Sequence, residues 1–384
     1  MTNIITTIET LKGKLPEASD ELIATLAAKH HTTPARIVNG RQVTIPTVAE
    51  MLADARKKVM GKERRRKRAR VQPDGSMLVR DTSTFRTYMS HWRALESAHG
   101  EQLISEVTDE ELLALAEEAR EAGIRWAQRR NEKRRKKGLP EFEVDGSSAF
   151  KSRLTAFAAA FSYAVKNGQL DRNPVTPLFD DSQRLASFRY ALSPAEVDEL
   201  MQVAQNGGDD PVLDHLILWT LLETACRAGG LMKMQLQDID VDQQLLTLSE
   251  KRSKSRYQPV TRELAQALVD FAKSRGATLP SDAVFRFQHT SRSACMPINH
   301  RRLDTMWARI YKELRWAEEK CVTAHTLRHT TLTYVDRAVS PTVARLFAGH
   351  GLDTTTEHYT KVTVPEVCRA HEIIFARQHP KTSA

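Results

Sequence analysis

Four residues near one end of the 384-residue chain stand at spacings that suit phosphoryl chemistry. His325 and Arg328 lie one helical turn apart, so a helix would carry both on one face. His350 follows a short segment opened by Ser340-Pro341, an N-cap with proline at the first helical position, and closed by Gly349. Tyr359 comes nine residues after His350, beyond Thr354, Thr355 and Thr356. Moving a phosphodiester without a metal needs a nucleophile, fixed donors for the phosphoryl oxygens and an acid for the departing hydroxyl. A phenol becomes a covalent nucleophile once its proton is taken. A guanidinium offers a two-pronged donor that an ammonium cannot, and an imidazole passes a proton near neutral pH.

Further cations extend the set. Arg227 ends the apolar stretch Leu213 to Leu222 and is followed by Ala228-Gly229-Gly230. A cation in that place needs an anion, either a buried acid or a phosphate, and both readings stand. Lys251 and Lys254 lie between two alternating segments, Leu245 to Ser249 and Tyr257 to Val260, which read as short strands. His325 and His329 have the spacing of a helical zinc pair, but the segment lacks the glutamate of that motif and Arg328 would repel a cation. No metal and no cofactor are therefore expected. His329, His358 and Tyr334 are read as structural.

The ordered pattern His-x-x-Arg, then Gly-His, then Tyr resembles the tyrosine recombinase (phage integrase) family, over about residues 80 to 375. The resemblance implies a catalytic set of Arg227, Lys251, His325, Arg328, His350 and the nucleophile Tyr359. It implies a 3'-phosphotyrosyl intermediate, religation to another 5'-hydroxyl and no need for ATP. The family's lysine sits eight residues before a hairpin proline, which selects Lys251 by counting back from Pro259. The usual Gly-Lys-Gly is here Glu250-Lys251-Arg252, so Lys254 stays a second candidate. Where the family carries an acid three positions after the first arginine, this chain has Gly230. The implied partners are double-stranded DNA at specific recombination sites, a homotetramer formed by C-terminal helix exchange, and accessory DNA-bending or directionality factors. The implied fold is mostly α and multidomain: a helical core-binding (SAM-like) DNA clamp, then an α+β catalytic domain with a small antiparallel sheet. Two rival outcomes fit the same residues: a type IB topoisomerase-like or telomere-resolving enzyme, and a catalytically silent architectural DNA-binding protein.

The elements that would position these residues follow in order. Residues 1–72 read as a small helical region, an accessory DNA-binding domain in some members of the family. Its helices are expected at Ser19 to Lys29, from Pro34, and at Pro46 to Met60, leading into a basic linker. Arg56 to Arg70 holds ten basic residues against Glu63, a local net charge equal to the +9 of the whole chain. Such a run is either a solvated linker or a tether along phosphates, through Arg64, Arg65, Arg66, Lys67 and Arg68. Residues 77–180 read as the clamp. One helix carries Phe85, Met89 and Trp92, a second runs from a Thr108/Glu111 capping box to about Gly123, and a long one follows Ser148. Between the last two, Arg125 to Lys137 is a basic insert, with Arg134, Arg135 and Lys136, and then Lys151, as candidate DNA contacts alongside Lys254. Residues 187–384 open on the Ser193/Glu196 capping box and close on a helix from Thr363 to about Gln378 that finds no core of its own. The four scattered cysteines suggest no disulfide scaffold. No run is apolar enough to span a bilayer, so a cytoplasmic location without membrane contact is expected.

Overall fold

The computed structural model describes residues 34–38, 41–66, 70–71, 77–78, 83–179, 190–249, 255–288, 294–349 and 364–382. The helix expected at Ser19 to Lys29 lies outside them, as do Lys67 and Arg68. The chain divides into two compact units, 1–185 and 186–384.

The first unit begins with an antiparallel hairpin, β1 (Ala35–Val38) and β2 (Arg41–Thr44), in which Val38 pairs with Arg41. This corrects the helix expected from Pro34. Arg36-Ile37-Val38 and Gln42-Val43-Thr44 are rich in β-branched residues and flank an Asn39-Gly40 dipeptide, the strongest short hairpin signal in a sequence. Helix α1 (Val48–Arg66) then runs through most of the supposed linker. Val48, Met51, Leu52 and Ala55 are buried in one core with Trp92 and Leu95 of α2 (Ser83–His99), Leu112 of α3 (Asp109–Lys136) and Phe157 and Phe161 of α4 (Ser147–Lys166). The domain division expected near residue 72 therefore cuts a single core. Arg56, one of the expected linker cations, gives both terminal nitrogens to Glu96, at 2.6 and 3.1 Å. A two-residue ladder pairs β3 (Arg70–Val71) with β4 (Met77–Leu78).

Helix α3 carries the capping box at Thr108 and Glu111 but does not stop near Gly123; it continues to Lys136. The basic insert is thus helix, and the segment after it explains why. Residues 137–146 fold back along the end of the helix. Asn131 brackets Phe142 with two hydrogen bonds, giving its side-chain N–H to the Phe142 carbonyl at 2.8 Å and accepting the Phe142 amide at 3.0 Å. Arg134 donates to the Pro140 carbonyl at 2.6 Å and lies 4.1 Å over the Phe142 ring, with Arg130 over the same ring at 4.8 Å. Arg134 is only 7 % exposed, so the reading of it as a DNA contact is corrected: it is a packing residue of this strap. Helix α4 starts at Ser147, one residue before the expected cap, with Gly146 as N-cap at φ +67°. A Cβ there would collide with the Arg120 carbonyl.

In the second unit, α5 (Pro194–Asn206) opens with the Ser193/Glu196 box. Helix α6 (Pro211–Thr224) is the hub, burying Leu213, Leu216, Ile217, Leu218 and Leu221 against α5, α8 (Arg262–Ser274) and α11 (Ala324–Ala338). The short α7 (Ala228–Leu231) precedes a three-stranded antiparallel sheet of β5 (Ile239–Asp240), β6 (Leu245–Ser249) and β7 (Ser255–Pro259). A small ladder of β8 (Arg286–Phe287) and β9 (Met296–Pro297) leads to α9 (His300–Glu313) and α10 (Arg315–Glu319). Helices α12 (Pro341–Phe347) and α13 (Val364–Phe375) complete the unit.

The strap makes the far half of α3 depend on one ring. Phe142→Ala should remove the platform of two guanidinium groups, each contact contributing about 0.5–1 kcal/mol. Amide exchange over residues 124–137 should then accelerate about tenfold, with the core amides of α2 and α4 unaffected.

Candidate active site

Arg328 sits on the second turn of α11 and is 2 % exposed. Its Nη1 donates to the carbonyl of Ala225, just past the end of α6, and its Nη2 to the carbonyl of Ala348, just past the end of α12. A helix leaves its last carbonyls without partners and carries partial negative charge at that end, so two helix C-termini hold one buried cation. Ala225 is two residues from Arg227, and Ala348 two residues from His350. One guanidinium therefore fixes the two segments that lead to the first arginine and the second histidine. His350 and Tyr359 lie outside the described residues, as do Lys251, Lys254 and His358.

The end of α6 receives two further donors. Thr331 Oγ1 bonds the Leu222 carbonyl at 2.5 Å, and Arg256 of β7 approaches the Thr224 carbonyl at 3.4 Å. Ala225 itself has φ +49°, the left-handed region that costs an alanine about 1–2 kcal/mol, held by these contacts. Arg227, half-buried, is the N-cap of α7, so it leaves this constrained corner at a fixed angle. Gly230, at the position where the family carries an acid, is buried within α7. Arg256 also accounts for Gly349. That residue has φ +67°, and a Cβ on it would stand 2.6 Å from the Arg256 side chain.

His325, one turn before Arg328, is exposed. Its Nε2 lies 3.0 Å from Nε2 of His329, a distance at which one ring donates to the other. Among the described residues no group of three potential ligands could hold a metal ion. Tyr334 donates to the Leu192 carbonyl at 2.6 Å, a structural role. The turn that contains Lys251 and Lys254 is closed by Ser249 opposite Ser255, with their hydroxyls 3.2 Å apart. Of the proposed DNA contacts, Arg64, Arg65 and Arg66 lie on the last turn of α1 and Lys151 on the first turns of α4. Arg135 pairs with Glu141 at 2.8 Å and Lys136 with Glu132 at 3.1 Å, all exposed.

Sequence reasoning missed Glu223, on the last turn of α6 and 1 % exposed. Its carboxylate accepts from Trp219 Nε1 at 2.7 Å, from the backbone and hydroxyl of Thr261, and from His371 Nε2 at 3.1 Å. The available signal was an acid at the end of the apolar run Leu216 to Leu222. His371 belongs to α13, so the buried carboxylate ties the C-terminal helix to the same helix end that holds Arg328. Val367, Ala370 and Ile374 of α13 pack with Val335, Val343 and Phe347. The helix thus has a core in its own unit, which corrects the expectation that it lacks one.

Three outcomes test this arrangement. Arg328→Lys reaches only one of the two carbonyls and leaves the other buried, costing about 1–3 kcal/mol in urea unfolding. Glu223→Gln places an amide N–H against donors, and proteolysis within α13 should become at least tenfold faster. The third is pH-linked. Burial holds the His379 imidazole below the usual histidine value; its Nε2 donates to the Gln244 carbonyl at 2.9 Å and its Nδ1 accepts from the Lys381 amide. A depressed histidine stabilises fully above its unfolded pKa of about 6.5 and progressively less below it. The protection factors of amides 376–382, with the intrinsic pH dependence of exchange divided out, should therefore fall as pH drops from neutral through about 6.5.

Known proteins resemble this chain in sequence and in fold. Residues 191–366 match the profile of the phage integrase family. Tyrosine recombinase XerA of Pyrococcus furiosus is 27% identical over 223 residues, 57% of this chain and 71% of that protein. The Tn1549 transposon integrase in complex with transposon right end DNA aligns with TM-score 0.55 at 19% identity, covering 86% of this chain and 100% of that one. A lambda integrase tetramer bound to a Holliday junction aligns at TM-score 0.52 and 16% identity, covering 94% and 90%. These two likenesses establish the multidomain, mostly helical fold, and the profile match covers the helices and hairpin that hold Arg227, His325 and Arg328. Through its second unit, this chain belongs to the tyrosine recombinase (phage integrase) family.

Proposed function

We propose that the chain is a site-specific DNA recombinase that integrates and excises a mobile element through a phosphotyrosyl link. The observation that carries this is Arg328: a buried guanidinium shared by two helix ends, with Arg227 and His350 each two residues from a carbonyl it binds. Fixed cations of this kind, aimed where charge develops, supply most of the stabilisation in phosphoryl transfer. A guanidinium carries five N–H groups, so holding two carbonyls is compatible with a further bond to a phosphoryl oxygen.

In this reading the Tyr359 oxygen attacks the scissile phosphorus and its proton passes to a nearby base. The P–O bond to the 5' oxygen breaks, and Lys251 protonates that oxygen as it leaves. The 3'-phosphotyrosyl ester is then attacked by a different 5'-hydroxyl, which regenerates the phenol. His325 and His350 donate to the phosphoryl oxygens. The Tn1549 relative, a transposon integrase, favours a mobile element as the source of the DNA sites. The lambda tetramer on a Holliday junction favours assembly of four subunits on two duplexes. Such assembly would require α13 to leave the cradle it occupies in its own unit for that of a neighbour. A cytoplasmic location fits a protein that acts on chromosomal DNA.

The test uses nicked duplexes carrying the repeats that bound the element encoding this chain. The parent protein should accumulate a covalent adduct. Tyr359→Phe should form none, and Arg227→Ala should slow its formation about a hundredfold or more. Adducts formed by Tyr359→Phe would refute the assignment, and relaxation of plasmids lacking any such repeat would point to a topoisomerase instead.

A further inference from the structure

His329 has no part in the chemistry proposed for His325, yet the two imidazoles meet on the outer side of α11. His325 is exposed and His329 half-buried. Their Nε2 atoms are 3.0 Å apart while their ring centroids are 4.4 Å apart. The nitrogens are thus nearer than the rings, and both rings turn the same atom toward one point. The backbone beneath them is fixed. Leu327, Arg328, Thr330 and Thr331 bury the other side of the helix. Thr330 accepts from the Leu192 amide at 3.0 Å, and Tyr334 donates to the Leu192 carbonyl at 2.6 Å. Two nitrogen donors on a helix anchored in this way keep their spacing before any ligand arrives.

Nitrogen ligands about 2.0–2.1 Å from a divalent transition ion stand about 2.9 Å apart when they bind at right angles and about 3.4 Å apart at the tetrahedral angle. The observed 3.0 Å lies close to the first value. It suits neighbouring positions of a square or octahedral ion such as nickel(II) or copper(II) better than tetrahedral zinc. As the pair stands, one Nε2–H donates to the other ring. Moving that hydrogen to Nδ1 of its own ring frees both Nε2 lone pairs, so two neutral imidazoles take up an ion with no net gain or loss of protons. The glutamate missing from the helical zinc motif is a catalytic base and not a ligand, so its absence bears on hydrolysis and not on binding. Arg328 keeps its charge and lowers the affinity. Its guanidinium points to the buried carbonyls of Ala225 and Ala348, however, which leaves the outer side of the pair open.

We infer that His325 and His329 form a two-point chelate for a divalent late transition ion, with water in its other positions, and that an ion held there withholds His325 from phosphoryl transfer. An imidazole bound to metal through Nε2 cannot donate from that nitrogen to a phosphoryl oxygen. The ion is therefore a reversible inhibitor and not a cofactor. Hard ions such as magnesium prefer oxygen ligands and pass the pair by. The chelate stands on the geometry of the two rings, and its inhibitory effect rests on the role proposed above for His325.

The full chain, stripped with EDTA and dialysed, is titrated with nickel(II) by calorimetry; nickel is used because copper(II) would oxidise the free thiols. The sequence holds 13 histidines, so the difference between parent and variants is what counts. His325→Gln and His329→Gln should each lose the same single ion, its affinity falling about a hundredfold once one imidazole of the pair is gone. Adduct formation on the nicked duplexes should slow about tenfold or more under nickel and recover with EDTA. Magnesium at the same concentration should leave it unchanged. His329→Gln should form the adduct without nickel and stay indifferent when nickel is added. Equal ion numbers and affinities in parent and variants would overturn the chelate, and a parent whose adduct formation nickel leaves unchanged would overturn the inhibition. If the parent forms no adduct under any condition, the recombinase reading fails and the inhibition with it, while the calorimetry still decides the chelate.

Discussion

The second unit depends on how a buried positive charge is held by dipoles. Among the described residues, Arg328 finds its counter-charge in the carbonyl ends of two helices. An acid at that point would form an ion pair and cancel the field that a phosphate must meet. Carbonyl dipoles hold a guanidinium in place without neutralising it. The buried charge at Asp214, near the start of α6, is handled in the opposite way. There two arginines, Arg302 and Arg309, share a carboxylate that is 1 % exposed. The same helix therefore has one end closed by ion pairs and another whose carbonyl end holds a buried cation.

The strained corner at Ala225 follows from the same arrangement. To place its carbonyl toward Arg328 and then launch Arg227, the chain turns through the left-handed region immediately after α6. Glycine takes that conformation at no steric cost. Here an alanine does, fully buried against Val343, Phe347 and Ala370. The methyl group joins a small core that also contains α13. Packing of the C-terminal helix and the geometry of the first arginine are thus set at one residue, and Glu223, two positions earlier, adds a polar tie between the same two parts.

Much of this was legible in the sequence because it depends on local chemistry. Capping boxes at Thr108 and Ser193, the Ser340-Pro341 start and the glycine at 349 each declare themselves within a turn or so of chain. The two strands around the Lys251 turn alternate visibly, and α6 is apolar on almost every side. What escaped depends on contacts between distant residues. Nothing near Gly123 says that α3 continues, because the reason is the ring of Phe142, well beyond it in the chain. Helix α13 is visibly amphipathic, yet its partner surface is assembled from Ala225, Val335 and Phe347, which meet only in the fold. The hairpin after Pro34 is a different failure: its Asn-Gly signal was present and was outweighed by a proline read as a helix start.

Charge shows the limit of reading by composition. The net +9 counts every arginine alike, but folding sorts them. Arg56 is held by Glu96, Arg134 by a ring and a carbonyl, Arg153 by the Leu115 carbonyl, and Arg302 and Arg309 by Asp214. These cations are committed to cohesion, and a salt titration would not sense most of them. The cations able to meet a polyanion are those whose side chains stand clear of such partners and at a regular pitch. That is a property of helix geometry and of what grips the other side of the helix, so a basic run in a sequence becomes a binding surface only once the fold has decided which of its charges remain uncommitted.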